Sequence, residues 1–308
     1  MPAYLQPAQP LTGRNDAEDG PSARRVHDHI AATGQHALLG FASDAGVTRN
    51  QGRAGAREAP AAIRQALAGL AAPADLPTIA DLGDIVVDAD DLEAGHTLLG
   101  EHVALALQTY RRVVVLGGGH ETAFGSWSGL HSAKPDEKIG IINLDAHLDL
   151  RNVGNAGASS GTPFNQIRNA APEHFDYLCI GVARESNTQA LLERAHDWNT
   201  QIIFDDELLA NRDCAAAAIQ GLASRCDVIY LTIDMDVLPH YQAPGVSAPA
   251  VRGVPLPTIE HIVDTVLAVC ASPFCALPLV DIVEVSPPHD LLGITARTAA
   301  TLALRLLA

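Results

Sequence analysis

Short apolar runs alternate with helix-like segments along this chain, and the alternation constrains the fold more than any other feature. From Arg112 onward, the runs 113–116, 139–144 and 228–233 are almost wholly apolar, and segments with helical spacing lie between such runs. Runs that are apolar at successive positions are typical of strands buried on both faces of a parallel sheet. The sequence therefore predicts an α/β fold, with about eight parallel strands and helices on both faces of the sheet.

The element boundaries divide the chain into an arm and one domain. Residues 1–35 mix proline, glycine and charge with little periodicity, and we predict an irregular N-terminal arm there. Residues 36–308 are predicted to form a single domain, since α/β folds of this size can enclose one large core. The polar, glycine-containing segment 44–60 is predicted to be either a functional loop or a disordered one. The predicted strands are 37–41, 78–82, 113–116, 139–144, 177–181, 201–204, 228–233 and 277–283, and the predicted helices are 61–70, 90–110, 121–131, 185–198, 214–224, 258–271 and 292–307.

The composition excludes several classes of partner. The chain has 36 acidic and 20 basic residues and a formal net charge of −16, whereas nucleic-acid binding requires a cationic surface. We find neither a signal-peptide pattern nor an apolar run of the roughly 18 residues that a membrane span needs. The five cysteines are odd in number and form no CxxC pair, as is typical of buried thiols in a cytosolic protein. We therefore expect a cytoplasmic protein without nucleic-acid or membrane partners.

The segment KIGIINLDAHLDLR carries the densest cluster of reactive side chains. Asp145, His147 and Asp149 occupy alternate positions directly after the apolar run Ile139–Leu144. In an extended chain alternate residues point the same way, so the three side chains are expected to converge. They would do so at the C-terminal end of a buried strand, which is where open α/β sheets bind their ligands.

Two other predicted strands end in the same kind of residue. Run 113–116 is followed by three glycines and His120, and run 228–233 is followed by Asp234 and Asp236. Oxygen and imidazole ligands without thiolates suit Mn²⁺, or less specifically Mg²⁺, Zn²⁺ or Fe²⁺. Six ligands are too many for one catalytic ion that keeps a position open, so two ions about 3.5–4 Å apart fit better.

Simpler explanations exist for each cluster taken alone. A histidine after a glycine turn is more often packed or hydrogen-bonded than bound to metal, and a DxD pair after a strand is a common turn signal. Three such clusters at strand ends are much harder to explain in this way. The segment GGGHETAFG lacks the third glycine of the dinucleotide-binding pattern, and HExxH, GxxxxGK[ST] and GxSxG motifs are absent.

Glu284 follows the predicted strand 277–283 at the same edge of the sheet. Because six ligands are already assigned, this carboxylate is available to bind a cationic substrate group. An amidinium or guanidinium is planar and matches a carboxylate through paired N–H bonds. A glutamate that caps a turn or supports a metal ligand is the alternative, and the residues alone leave both open.

Together these motifs resemble the ureohydrolase family of arginase and agmatinase. The matching segments are GGGHE at 117–121, DAHLD at 145–149, SSGTPF at 159–164, TIDMDVLP at 232–239, APGVSAP at 243–249 and VEVSPP at 283–288. The resemblance runs from about residue 37 to the C-terminus and implies a three-layer α/β/α fold around a parallel eight-stranded sheet. It further implies two Mn²⁺ ions per chain. Related enzymes are commonly homo-oligomers, but the residues themselves leave the oligomeric state open. One ion would be held by His120, Asp145, Asp149 and Asp234, and the other by Asp145, His147, Asp234 and Asp236, with Asp145 and Asp234 bridging.

Departures from arginase and agmatinase indicate the branch of the family. Ser160 stands before Gly161 where those enzymes have the histidine of an HG segment, and Pro239 replaces the third aspartate of DxDxxDP. With Arg151 directly after DAHLDL and the segment GFASDAGVTRNQGR at 40–53, these features look most like the formimidoylglutamase branch. This resemblance implies hydrolysis of N-formimidoyl-L-glutamate to L-glutamate and formamide in histidine degradation. The alternatives are a ureohydrolase acting on a guanidino acid or on agmatine, and a non-catalytic metal-binding protein.

The resemblance also implies roles for individual residues. A hydroxide that bridges the two ions would attack the amidine carbon, Asp149 would orient it and pass its proton to the leaving nitrogen, and Glu284 would hold the formimidoyl nitrogens. The small-molecule substrate carries two carboxylates, so its site is expected to contain cations. Arg151 is the first candidate, and the other predicted substrate-binding residues are Arg184, Asn187, Ser160 and Arg53. Surface or loop-bracing arginines are the alternative.

Overall fold

A single sheet of ten strands forms the centre of the computed structural model, which describes residues 3–88 and 90–308. The strands are β1 Ala3–Gln6, β2 Ile30–Ala31, β3 His36–Ala42, β4 Ile79–Val87, β5 Arg112–Leu116, β6 Ile139–Leu144, β7 Asp176–Val182, β8 Gln201–Phe204, β9 Val228–Asp234 and β10 Ala276–Val283. Their order is β1-β4-β3-β5-β10-β9-β6-β7-β8, and β2 pairs with β4. Strands β3 to β10 run parallel, which confirms the predicted eight-stranded parallel sheet.

The first 35 residues are more regular than the predicted irregular arm. Strand β1 pairs antiparallel with β4, from Ala3 opposite Val87 to Gln6 opposite Asp84. Farther along, Val26 is fully buried in the core. The four-residue strand AYLQ is too short to show an alternating pattern, and its partner lies about eighty residues away in the chain. Residues 1 and 2 of the predicted arm lie outside the described residues.

Helices cover both faces of the sheet. They are α1 Ala45–Arg49, α2 Ala59–Ala68, α3 Leu92–Ala106, α4 Thr122–Ala133, α5 Pro163–Ala170, α6 Gln189–Asp197, α7 Asp205–Ala210, α8 Ala216–Ala223, α9 Leu256–Val269 and α10 Ile294–Leu307. Along β5, Val114 and Leu116 join one apolar cluster with α2, α8, α9 and α10, whereas Val113 and Val115 join another with α3, α4, α5 and α6. Because alternate residues of a strand point to opposite faces, this division confirms the three-layer α/β/α fold.

Within the described ranges, the helices are all too short or too polar to cross a membrane. Sequence reasoning missed α1, α5 and α7, and it began α6 too early, at residue 185. The chain turns as a short 3-10 helix at Arg184–Ser186 instead. Asn187 then hydrogen-bonds back to the loop after β6, so the regular helix starts only at Gln189.

Candidate metal centre

The four strands that carry the predicted ligands and Glu284 are consecutive in the middle of the sheet, in the order β5, β10, β9 and β6. Because they are parallel, their C-terminal ends meet at one edge, where a cavity of about 280 Å³ opens. The cavity is lined by Asn50, Gln51, Gly52, His147, Asp149, Arg151, Ser160, Ser186, Asn187, Leu191, Asp234, Asp236, Ser247, Ala248 and Glu284. The sheet therefore brings the end of each ligand-bearing strand to one place.

Four of the predicted ligands surround one point. The Nδ1 atom of His120 lies 3.2, 3.0 and 3.1 Å from carboxylate oxygens of Asp145, Asp149 and Asp234, respectively. His120 and Asp145 are fully buried, and Asp234 is nearly so. These four side chains could hold one metal ion.

A second group shares Asp145 with the first. The Nδ1 of His147 lies 3.5 Å from Oδ1 of Asp145 and 3.1 Å from Oδ2 of Asp236. Asp145 thus directs one oxygen to each histidine, as a bridging carboxylate would. Asp234 belongs to the first group only, and its Oδ1 accepts the backbone N–H of Asp236 at 2.8 Å. The bridge through Asp145 is consistent with this geometry, and the bridge through Asp234 stays a prediction.

Burial and the neighbouring charges shift the pKa values of the side chains in this cluster. Burial, together with neighbouring carboxylates, raises the pKa of Asp149, Asp234 and Asp236. Burial also acts against the charge of Asp145, but the two neighbouring histidines outweigh it and lower the pKa of Asp145. Burial alone would lower the pKa of His120, whereas the three carboxylates around its Nδ1 raise that pKa well above the usual value. Crowded carboxylates of this kind are stabilised by a nearby cation.

The donor set fits divalent metal ions. Within the part of the chain that the structure describes, the buried atoms His120 Nδ1 and Asp236 Oδ1 have no hydrogen-bond partner. Buried polar atoms without partners are costly unless something else, such as an ion, satisfies them. Hard carboxylate oxygens mixed with imidazole suit Mn²⁺ and related ions. Two groups that share Asp145 support a binuclear site.

Glu284 lies beside the ligands without belonging to either group. Its Oε1 accepts the backbone N–H of His120 at 2.8 Å, and its Oε2 accepts the hydroxyl of Ser247 at 2.9 Å. Burial, with the nearby charge of Asp236, raises the pKa of Glu284 to about 7. Each carboxylate oxygen can accept more than one hydrogen bond, so the side chain can still receive a planar cation from the cavity.

Three cavity residues have an unusual backbone. Gln51, Asp149 and Glu284 have φ angles of 65°, 47° and 67°, which lie in the left-handed region. They account for three of the five non-glycine residues with positive φ in residues 3–88 and 90–308. Such conformations are held by their surroundings and are common at functional sites.

Two predicted substrate residues line the cavity as expected. Arg151 is exposed at its mouth, and its guanidinium forms no ion pair with any residue that the structure describes. Ser160 is buried and accepts a hydrogen bond from Asn50 at 3.1 Å. The cavity thus has a carboxylate beside the ligand cluster and a cation at its mouth.

The predicted substrate roles of the other three residues are not supported. Arg53 lies outside the cavity lining, and its guanidinium donates to the carbonyls of Val246 and Ser247, at 2.6 and 3.3 Å. Arg184 also lies outside, because its guanidinium stacks over Phe204 at 3.3 Å from the ring centroid. Both guanidinium groups are thus engaged elsewhere, and their contacts with substrate stay predictions.

Asn187 reaches the cavity but is otherwise engaged. Its Oδ1 accepts the N–H of Leu148, and its Nδ2 donates to the carbonyls of Ala146 and Ala183, each at 2.9 Å. The carboxamide therefore holds the loop that carries His147 and Asp149 in place. A supporting role fits these contacts better than the predicted substrate contact.

Sequence reasoning missed several residues that complete the site. Asn50, Gln51 and Gly52 come from the segment 44–60, which was predicted to be a functional or disordered loop and in which only Arg53 was named as a candidate. Ser247 lies within the APGVSAP motif and holds Glu284. Thr232 precedes Asp234 by two positions on the same strand, which is the signal that could have identified it.

Thr232 is predicted to increase the metal affinity of the first group of ligands by orienting His120. Its Oγ1 lies 3.0 Å from His120 Nε2, which leaves Nδ1 to face the carboxylates. Replacing Thr232 with valine removes this partner while keeping the shape, so metal affinity should fall by about 10- to 100-fold. Metal retained after dialysis against graded chelator measures the effect. Thr301→Val, which removes a hydroxyl within α10, is the control; equal metal retention by the two variants would contradict the assignment.

Known proteins are similar to this chain in both sequence and fold. The Arginase family matches residues 34–308. A formimidoylglutamase from Klebsiella pneumoniae (strain 342) is 44% identical, over 96% of this chain and 95% of that protein. The formimidoylglutamase from Bacillus subtilis subsp. subtilis str. 168 superposes with a TM-score of 0.82 at 25% identity, over 97% of this chain and 94% of that one. A formiminoglutamase from Trypanosoma cruzi, solved with Mn²⁺, gives 0.76 at 25% identity, over 89% and 92%. Because the family match takes in every strand that bears a ligand, this chain belongs to the arginase family.

Proposed function

We propose that the protein hydrolyses N-formimidoyl-L-glutamate to L-glutamate and formamide. One observation carries the proposal: the cavity holds the carboxylate of Glu284 beside the ligand cluster and the guanidinium of Arg151 at its mouth. This polarity matches a substrate with a cationic amidine at one end and carboxylates at the other. The 44% identity to the Klebsiella formimidoylglutamase supports the same substrate.

The proposal includes two Mn²⁺ ions per chain. His120, Asp145, Asp149 and Asp234 would hold one ion, and Asp145, His147, Asp236 and the predicted bridge Asp234 would hold the other. When bound, the ions would act as Lewis acids that make water a nucleophile at neutral pH. The Trypanosoma cruzi formiminoglutamase solved with Mn²⁺ supports the choice of metal.

Side chains of this protein would bind the substrate and transfer the proton. Glu284 binds the amidine nitrogens and so fixes the amidine carbon above the ligand cluster. Asp149 lines the cavity with a side chain that is 13% exposed, so it can orient the attacking water and accept its proton. As water adds to the amidine carbon and the bond to the glutamate nitrogen breaks, Asp149 returns that proton to the leaving nitrogen. Formamide and L-glutamate result.

Arg151 is proposed to bind a substrate carboxylate. Arg151→Ala should raise the KM for formimidoylglutamate by about 10- to 100-fold, because a hydrogen bond between charged groups contributes roughly 1.5–3 kcal/mol. The kcat should change less, since the carboxylate lies away from the bond that breaks. Steady-state kinetics of the Mn²⁺-loaded protein, with release of L-glutamate as the readout, measures both values.

Arg297→Ala, a change at an exposed position of α10 outside the cavity lining, is the matched control. An unchanged KM in Arg151→Ala would refute the carboxylate assignment. Turnover of guanidinobutyrate but not of formimidoylglutamate by the unaltered protein would favour a guanidino acid as substrate. Absence of any turnover by protein that holds two ions would point to a non-catalytic metal-binding protein.

A further inference from the structure

One short segment connects the loops that surround the cavity. Residues 49–53, which we call the cavity strap, are anchored at both ends. At the first end, Arg49 pairs with Asp90 and Glu93, each at 2.8 Å, and donates to the carbonyl of Ala158 at 3.1 Å. At the other end, Arg53 donates to the carbonyl of Val246 at 2.6 Å. The three residues between these anchors all line the cavity.

Asn50 is the strap residue that contacts the opposite wall. Its Nδ2 donates to Ser160 Oγ at 3.1 Å. Because the serine oxygen accepts this bond, the hydroxyl proton of Ser160 remains available to a ligand. Asn50 itself is exposed at the mouth of the cavity, whereas Ser160 is buried. The pair therefore offers hydrogen-bond donors to the cavity from the strap and from the residue that the strap contacts.

Because Gly161 has no side chain, the side chains of Asn50 and Arg151 can approach each other over it. A side-chain carbon at position 161 would lie 3.1 Å from Asn50 Nδ2, 3.1 Å from Arg151 Nε and 2.7 Å from Arg151 Cδ. The amide of the strap and the guanidinium side chain of Arg151 thus lie next to each other over Gly161, and the amide also contacts the Ser160 hydroxyl. Neighbouring amide, guanidinium and hydroxyl donors suit a carboxylate, which only accepts hydrogen bonds.

We propose that Asn50 is a specificity-determining residue which, with Arg151 and Ser160, binds one carboxylate of the glutamyl group above Gly161. The assignment rests on the proposed function. The neutral amide is essential in this role. An aspartate at position 50 would keep the shape, but it would replace a hydrogen-bond donor with an acceptor that carries the same negative charge as the substrate carboxylate. Asn50 acts on the choice of substrate, because it lies at the cavity mouth and belongs to neither ligand group.

Asn50→Asp tests the proposal through a ratio of specificities. The two substrates are formimidoylglutamate and formamidine, the amidine without a glutamyl group. The ratio of their kcat/KM values should fall by about 10- to 100-fold, through KM for formimidoylglutamate. The inhibition constant of L-glutamate should rise in parallel. Asn199→Asp adds the same charge at an exposed position outside the cavity lining and is the control.

A second variant keeps the proposal testable if Asn50→Asp does not fold. Gly161→Ala pushes the Asn50 and Arg151 side chains apart, and since its added carbon meets the flexible Arg151 side chain most closely, folding should survive. It should lower the same ratio. A ratio within twofold of the unaltered protein in a folded variant would overturn the assignment. If the unaltered protein does not hydrolyse formimidoylglutamate, the proposed function fails, and calorimetric binding of L-glutamate to the variants still decides the role of Asn50.

Discussion

Asp145→Asn is expected to leave fewer than two ions per chain and to lower kcat by roughly 10³-fold or more. Asp145 is the one residue that belongs to both ligand groups, with Oδ2 3.2 Å from His120 Nδ1 and Oδ1 3.5 Å from His147 Nδ1. Asparagine keeps the shape but lacks the negative charge that a shared position needs. Without both ions, the several kcal/mol that metal activation of water contributes are lost.

Metal content after equilibration with Mn²⁺ and the rate of glutamate release measure this effect together. The isosteric control is Asp136→Asn, at an exposed position of the turn between α4 and β6. It should retain both ions and full activity. Two ions and normal turnover in Asp145→Asn would show that the shared carboxylate is not a bridge.

Glu284→Gln should separate substrate binding from metal binding. Glutamine can still accept the N–H of His120 and contact Ser247, so the loop and the ligand groups should keep their geometry. It has lost the charge that pairs with a cationic amidine, and removal of one partner of a buried charge pair costs about 2–5 kcal/mol. The kcat/KM for formimidoylglutamate should therefore fall by about 10²- to 10³-fold with two ions still bound.

The combination of the two measurements makes this prediction specific. Loss of metal in Glu284→Gln would show that the residue supports the ligands instead of binding substrate, which is the alternative that the sequence left open. Glu173→Gln, at an exposed position between α5 and β7, is the control. It should differ from the unaltered protein in neither metal content nor kcat/KM.

The elements that sequence reasoning predicted best were those with a strong local pattern. Ile139–Leu144 and Gln201–Phe204 were predicted to the residue, because apolar runs with polar neighbours define their own ends. Helix α5 was missed because Pro163–Ala170 follows a serine- and glycine-rich loop and contains few apolar residues. Strand β1 was missed because four residues cannot establish a period. In both cases the contacts that stabilise the element come from distant parts of the chain.

The same distinction applies to the site. The six candidate ligands could be predicted because each follows an apolar run, and parallel strands end at one edge. The surroundings of an arginine carry no such local signal: the carbonyl of Val246 that receives Arg53 is far away in sequence, as is the carbonyl of Ala158 that receives Arg49. Asn50 was missed for the same reason, since only the folded chain brings it to Ser160.

The strand order also determines when, during folding, the ligands of the candidate metal centre can come together. Strand β9 lies between β6 and β10 in the sheet, and it supplies Asp234 and Asp236 from a position about 90 residues beyond β6 in the chain. Both ligand groups are thus incomplete until this late-synthesised strand has inserted, and such long-range pairings form slowly. Ions that bind only the finished sheet stabilise the native state by mass action. Their kinetic effect should therefore be a longer native lifetime with little change in the rate of folding.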